Sequence, residues 1–233
     1  MKVAVVIPTL NEEPQLPATL ARTAGLGFDE VVVVDGGSED RTTDIVTTYR
    51  SAAAPPCPIS LLTSTAGRSR QMNAGAAASV ADVLVFLHAD SRLPGDARQV
   101  IEHALDDPLC VGGRFDVRFE VDTGLSRLIA RMMNLRSRLS GIATGDHAIF
   151  VRHAVFERLG GFSDIPIMED IEFTSRLRGA GRLAALRSVV VTSYRRWSTH
   201  GAIRTIVLMW TLRFLYWIGA SPHTLSRWYR AVR

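Results

Sequence analysis

The stretch Val31-Val32-Val33-Val34-Asp35-Gly36-Gly37-Ser38 decides the fold. Four consecutive β-branched residues with no polar alternation read as a strand covered on both faces, the habit of a parallel strand inside an α/β sheet. Asp35 and the two glycines end the strand and open a loop, and from Asp40 to Tyr49 the pattern turns helical. The same unit stands upstream. Val3 to Ile7 is an apolar run ended by Pro8, polar residues follow from Thr9 to Glu13, and a helical pattern runs from Leu16 to Ala24. Ile59 to Leu62, a helix from about Arg68 to Ser79, and Val83 to Leu87 continue the alternation downstream. It predicts an α/β fold with a mostly parallel central sheet and helices on both faces.

After Asp90 the alternation weakens. Val111 to Val121, Ala148 to Val151 and Ser188 to Thr192 read as strands, Thr123 to Leu139 and Ile171 to Arg178 as helices, and Ala52 to Pro58 as a loop. A chain of 233 residues suits one α/β core. We expect a catalytic domain over residues 1–200 and a helical appendage over 201–233. The apolar segment Ile203 to Ala220 contains Arg204 and Arg213. A charge at the centre of a spanning helix costs about 2.5–3.5 kcal/mol on insertion scales, which argues against a transmembrane span. Trp210, Phe214, Tyr216 and Trp217 with flanking arginines suit a helix packed on the core or one lying in a membrane interface.

The formal net charge of +4 has its excess in Arg195, Arg196, Arg204, Arg213, Arg227, Arg230 and Arg233. Phosphate or an anionic membrane surface is the partner this suggests; no nucleic acid is expected. Lys2 is the single lysine, a bias that reflects genome composition and carries no functional reading. Cys57 and Cys110 stand alone, without zinc-ligand spacing. A cytoplasmic location, at the inner face of the cell membrane if the tail binds lipid, is the expectation. Val3 to Ile7 is too short for a signal-peptide core.

In open α/β sheets ligands bind beyond the carboxyl ends of the strands. There stand Pro8-Thr9-Leu10-Asn11-Glu12, Asp35-Gly36-Gly37-Ser38 and His88-Ala89-Asp90. No glycine lies between Met1 and Ala24, so the dinucleotide-binding turn is missing, and neither a P-loop nor a GxSxG elbow occurs. Asp35 could accept hydrogen bonds from a ligand or simply cap the next helix. Arg68, Arg70, Gln71 and Asn73, near a helix start, could meet a pyrophosphate or form a solvated face. Glu169-Asp170 opens a predicted helix, where adjacent acids are ordinary partners of the helix dipole. Gly145-Asp146-His147 reads as a turn or as a border of the acceptor site.

Together, Val6-Ile7-Pro8-Thr9-Leu10-Asn11-Glu12, Val34-Asp35-Gly36-Gly37-Ser38, Phe86-Leu87-His88-Ala89-Asp90, Gly160-Gly161-Phe162 and Met168-Glu169-Asp170 resemble, in order, the motifs of the family 2 glycosyltransferases of the GT-A fold. Within that family the chain is similar to the small bacterial transferases associated with radical-SAM and selenium-type domains, including those proposed for arsenosugar biosynthesis. The resemblance covers about the first two hundred residues. It implies a nucleoside-diphosphate-sugar donor bordered by Pro8, Thr9, Asn11 and Glu12, with Asp35 on its base. It implies a divalent cation, manganese or magnesium, on Asp90, and His88 stands where many members have the first aspartate of that element. It implies Asp170 as general base with Glu169 beside it. Arg195-Arg196-Trp197 resembles the end of the QxxRW element, Arg196 steadying the leaving diphosphate and Trp197 lining the acceptor site, although Ser193 takes the glutamine position. The expected reaction is transfer of a single sugar to a small or lipid-like acceptor, inverting and metal-dependent. The alternatives are nucleotidyl transfer, whose glycine-rich basic loop is missing, and a non-catalytic membrane-surface binding module.

Overall fold

The computed structural model describes residues 1–51 and 57–232; the side chains of Arg196, His200 and residues 230–232 lie outside the description. Strand β1 (Val3–Thr9) is flanked in parallel by β2 (Glu30–Asp35) and β4 (Val83–Phe86), and β3 (Ile59–Thr63) adds in parallel to β2. Alternation along β1 divides the core. Val3, Val5 and Ile7 face one way, with Leu16 and Leu20 of α1 (Leu16–Ala24), Val46 of α2 (Thr42–Ser51) and Ile101 of α4 (Ala97–Leu105). Ala4 and Val6 face the other, with Met72 and Ala76 of α3 (Arg68–Ala78) and, further along the sheet, Phe156 of α6 (His153–Arg158) and Phe173 and Leu177 of α7 (Glu169–Ala180). These valines are apolar on both faces because both faces are covered. Helix α3 lies close on the sheet because residue 75 is glycine: a Cβ there would come within 2.4 Å of Val6.

The second half of the sheet is mixed. Strand β7 (Ile149–Arg152) runs antiparallel to β4 and to β6 (Cys110–Phe119). Strand β6 pairs in parallel with β8 (Arg182–Thr192), and the two-residue β5 (Ser91–Arg92) closes the order β3-β2-β1-β4-β7-β6-β8-β5 antiparallel to β8. Four of the seven pairings are parallel, as expected of a mostly parallel sheet, and the antiparallel pairings all lie beyond β1, at β7 and β5. Reversal at β7 carries the chain back across the edge where the polar loops gather.

Helix α5 (Gly124–Ser140) packs on β6, and α8 (Arg195–His200) leads into α9 (Ala202–Trp217) and α10 (Pro222–Val232). One face of α9 is buried: Leu212 meets Met168 and Leu225, and Ile206 packs near Phe119 and Ile129. Full burial of such side chains contributes roughly 1.5–3 kcal/mol each. The opposite face is apolar yet open, with Ile203, Val207, Trp210, Phe214 and Trp217 exposed at steps of four and three. Sixteen residues of helix span only about 24 Å, and among the described residues no helix is long and apolar enough to cross a membrane.

Candidate active site

The loops after β1 and β2 are stitched to each other. Asn11 adopts the left-handed region at φ 54, which asparagine tolerates. Its backbone N–H donates to Ser38 Oγ at 2.9 Å and its Oδ1 accepts from the Glu39 N–H at 2.8 Å. The Glu12 N–H donates to Thr42 Oγ1 at 2.9 Å. Asp35, buried, takes the Gly37 and Ser38 N–H groups on Oδ2 at 2.8 and 2.9 Å, with the Ser38 hydroxyl and Thr9 Oγ1 on Oδ1. Its carboxylate therefore shapes the loop whatever else it meets. Pro8 lies within β1 beside Val34, one residue before Thr9 pairs with Asp35.

Helix α3 supplies two polar side chains to this edge and spends both on backbone. Gln71, buried, donates through Nε2 to the carbonyls of Thr9 and Val34 at 2.7 and 2.9 Å, clamping β1 to β2 where they end. Asn73 pairs with both backbone groups of Phe162, pinning the Gly160-Gly161-Phe162 turn. Arg68, at the start of the same helix, reaches Glu169 Oε1 at 3.4 Å and stays partly open.

Asp170 stands in the first turn of α7. Met168 before it sits at φ 71, a strained setting for a bulky residue, fixed by burial against Leu212 and Leu225. Asp170 Oδ2 accepts the Gly145 N–H at 2.8 Å and Oδ1 the Ile171 N–H at 2.7 Å. Burial first, and the neighbouring Glu169 charge second, push its carboxyl up to about 6, against the pull of the Gly145 N–H and Arg68. Glu169 is itself buried.

The Gly145–His147 turn carries Asp170's partner and also backs His88. His88 Nδ1 lies 3.3 Å from Asp146 Oδ1, while its Nε2 is shut from water with no hydrogen-bond partner. Residue 145 is glycine, and a Cβ there would come within 2.1 Å of that nitrogen. Nearby, the carboxyl of Glu12 is raised, by burial first and in part by Asp90, while Arg195 holds it down; Arg195 Nη2 is 3.5 Å from Glu12 Oε2.

His88 and Asp90 are donor types that a divalent cation takes; the His88 ring has Asp146 at one nitrogen and no hydrogen-bond partner at the other, which is shut from water and packs against Gly145. Asp90 adds a carboxylate close enough to Glu12 to help raise it. Among the described residues no group of three or more histidine, cysteine or acidic side chains converges for a metal, so diphosphate and water oxygens would complete the shell.

Trp197 packs edge-on against Phe119 at 5.7 Å and beside Tyr194 at 6.4 Å, in the wall between β6 and α8. Arg196 lies on α8, its side chain outside the described residues; the arginine seen reaching the nucleotide-side loop is its neighbour, Arg195. Sequence reading singled out neither Arg195 nor the Gly145 N–H as a site partner. His147, in the same turn, is fully buried with its pKa pulled down to about 3, by burial first and by Arg114 second, so the ring is neutral and structural.

Against known proteins, the sequence model described as Glycosyl transferase family 2 matches residues 4–160. "Probable glycosyltransferase YdaM" of Bacillus subtilis (strain 168) is 28% identical over 205 residues, covering 77% of this chain and 47% of that protein. An undecaprenyl-phosphate 4-deoxy-4-formamido-L-arabinose transferase of Yersinia pestis is 27% identical over 157 residues, covering 65% of this chain and 48% of that protein. The chain thus spans about half the length of these curated relatives. Among solved structures, the mannosyltransferase PcManGT from Pyrobaculum calidifontis in complex with GDP-Man and Mn2+ superposes with a TM-score of 0.67 at 23% identity, covering 82% of this chain and 56% of that one. S. aureus TarS 1-349 gives 0.64 at 20% identity, covering 83% and 60%. At these identities the structural likeness shows the fold.

Proposed function

The chain belongs to glycosyl transferase family 2, and from that premise we propose that it moves one sugar from a nucleoside-diphosphate sugar to a hydroxylated small or lipid-like acceptor, with inversion. The observation that carries the reading is Asp170: a carboxylate at the mouth of the strand-end loops, oriented by the Gly145 N–H and raised to about 6. A group tuned there is ionised at neutral pH yet basic enough to take a proton.

The donor occupies the edge bordered by Pro8, Thr9, Asn11, Glu12 and Asp35, with Arg68 toward its diphosphate and Gln71 and Asn73 holding the loops that contact it. Asp90 and His88 would hold the divalent cation, whose charge offsets that of the departing diphosphate. Asp170 takes the acceptor hydroxyl's proton as the oxygen bonds to the anomeric carbon. The bond from that carbon to the diphosphate oxygen breaks with its electron pair on the leaving group. Glu169, locked against Arg68, orients the acceptor side, Trp197 lines it, and Arg196 steadies the leaving group. Support for the donor class comes from structural relatives in complex with GDP-Man and Mn2+, with UDP and with UDP-GlcNAc. Support for a lipid-like acceptor comes from the relative that acts on undecaprenyl phosphate.

The bare apolar stripe of α9 suits the surface of an anionic membrane, with the catalytic core on the cytoplasmic side. Within the family, the chain's resemblance to the small radical-SAM and selenodomain-associated transferases supports placing it with them. The test is incubation of the purified chain with a panel of nucleoside-diphosphate sugars, with and without Mn2+. Metal-dependent release of the nucleoside diphosphate supports the reading, and no binding or turnover of any donor overturns it.

A further inference from the structure

Beside the first turn of α7 lies a cavity of about 920 Å³, walled by α5, α7 and the turn joining α9 to α10. Ile171, the residue after Asp170, lines it, as do Arg136 from α5 and Arg213 from α9. Two other cations in the wall are already engaged: Arg176 grips Glu172, and Arg178 donates to the Ser140 carbonyl at 2.7 Å. Arg136 is different. Its Nε and Nη2 are shut from water and have no hydrogen-bond partner. Hydrogen bonds left unmade by a guanidinium kept out of water are a cost to the fold, which the Asp170 and Asp146 carboxylates offset only in part, and a bound oxyanion would supply the missing acceptors. The carboxylates of Asp170 and Asp146 act on its charge, so such an anion would sit close to the base. On the outer side Tyr216 and Trp217 make the wall aromatic, and Trp217 continues the bare stripe of α9.

The geometry points to this cavity as the seat of a phosphate group carried by the acceptor, held by Arg136 and Arg213, with the acceptor's apolar part leaving past Tyr216 and Trp217. The inference rests on the reading of Asp170 as the base, because it places the acceptor's hydroxyl and its phosphate on either side of that residue. A lipid headgroup and a soluble phosphate ester present the same chemistry.

The test uses the full chain with two probes: phenyl phosphate in solution, and phosphatidylcholine vesicles with and without phosphatidic acid. Wild type binds at least one; recovery only on phosphatidic acid vesicles assigns a lipid source, and binding of phenyl phosphate a soluble one. Arg136→Met weakens the binding by about tenfold or more, the loss of a charge-assisted contact, while Arg50→Gln, the same charge loss at an exposed site on α2, does not. The melting temperature of Arg136→Met checks that the variant folds; if it fails to fold, Arg213→Gln carries the same comparison. Binding of neither probe, equal binding by wild type and Arg136→Met, or equal loss in Arg50→Gln overturns the inference. Mn2+-dependent binding of UDP or GDP to the wild-type chain is measured alongside. If nucleotide binds and phosphate does not, the cavity inference fails and the transferase reading stands; if neither binds, both fail.

Discussion

Gly145 donates its backbone N–H to Asp170 Oδ2 at 2.8 Å, and its bare Cα faces the unpartnered Nε2 of His88. One residue therefore holds Asp170, the proposed base, and packs against His88, the proposed ligand. A methyl group added at this position would press on His88 and shift the N–H that holds Asp170. Gly145→Ala is expected to lower kcat/KM by about a hundredfold, the scale set by loss of precise placement, and to raise the Mn2+ concentration needed for half-maximal turnover. A manganese titration of both proteins measures both effects; an unchanged titration would detach His88 from the cation.

The cation itself is tested at Asp90. Asp90→Asn keeps the shape and removes the charge, so the half-maximal Mn2+ concentration should rise at least about tenfold while nucleotide binding without metal stays within about twofold. A metal response equal to that of wild type would move the cation off Asp90.

Asp170 also has a stability signature. Its folded pKa of about 6 lies above the ordinary value of 3.8, so the folded state holds the proton more tightly than the unfolded chain. Stability thus declines as pH rises from about 4 to about 6, and the ionised carboxylate costs roughly 1–3 kcal/mol above that range. Asp170→Asn cannot ionise, so it should lack this decline between about pH 4 and about pH 6, although its amide accepts only one of the two backbone N–H groups that the carboxylate holds. Chemical denaturation at several pH values measures it, and an unchanged decline in the variant would contradict it.

The open stripe of α9 makes a separate prediction. Phe214 is 58% and Trp217 81% exposed, so replacing both with serine should leave the melting temperature nearly unchanged. Flotation on anionic vesicles should fall to background, because interfacial binding scales with buried apolar area. Equal flotation of the variant would remove the membrane role of this helix.

The N-terminal half of the fold was legible because its signal is local: Val31 to Val34 and Val3 to Ile7 can only be strands buried on both faces, and the polar residues after them fall at the binding edge by topology. The reversal at β7 was not legible. Ile149 to Val151 reads equally well in either direction, and its partners β4 and β6 lie far from it in sequence. Helix α4 and the two-residue β5 also escaped, the first because Pro94 and Gly95 interrupt the pattern before it and the second because it exists only through pairing with β8. In the site, residue types pointed to carboxylates but not to their partners. Gln71 and Asn73 look like ligand contacts in sequence and prove to clamp backbone. The Gly145 N–H carries no side-chain signal at all, and Arg136 lies in an ordinary amphipathic helix until packing strips its partners away.

The pH dependence of Mn2+-supported donor turnover in wild type and Asp170→Asn decides whether Asp170 is the base of sugar transfer. Wild-type kcat/KM is expected to fall as pH drops through about 6, where the carboxylate takes up its proton. The folded variant, still binding the nucleoside diphosphate, is expected to lose turnover by about a thousandfold or more at every pH. A folded Asp170→Asn protein that turns over donor at the wild-type rate with the same pH profile would contradict that role.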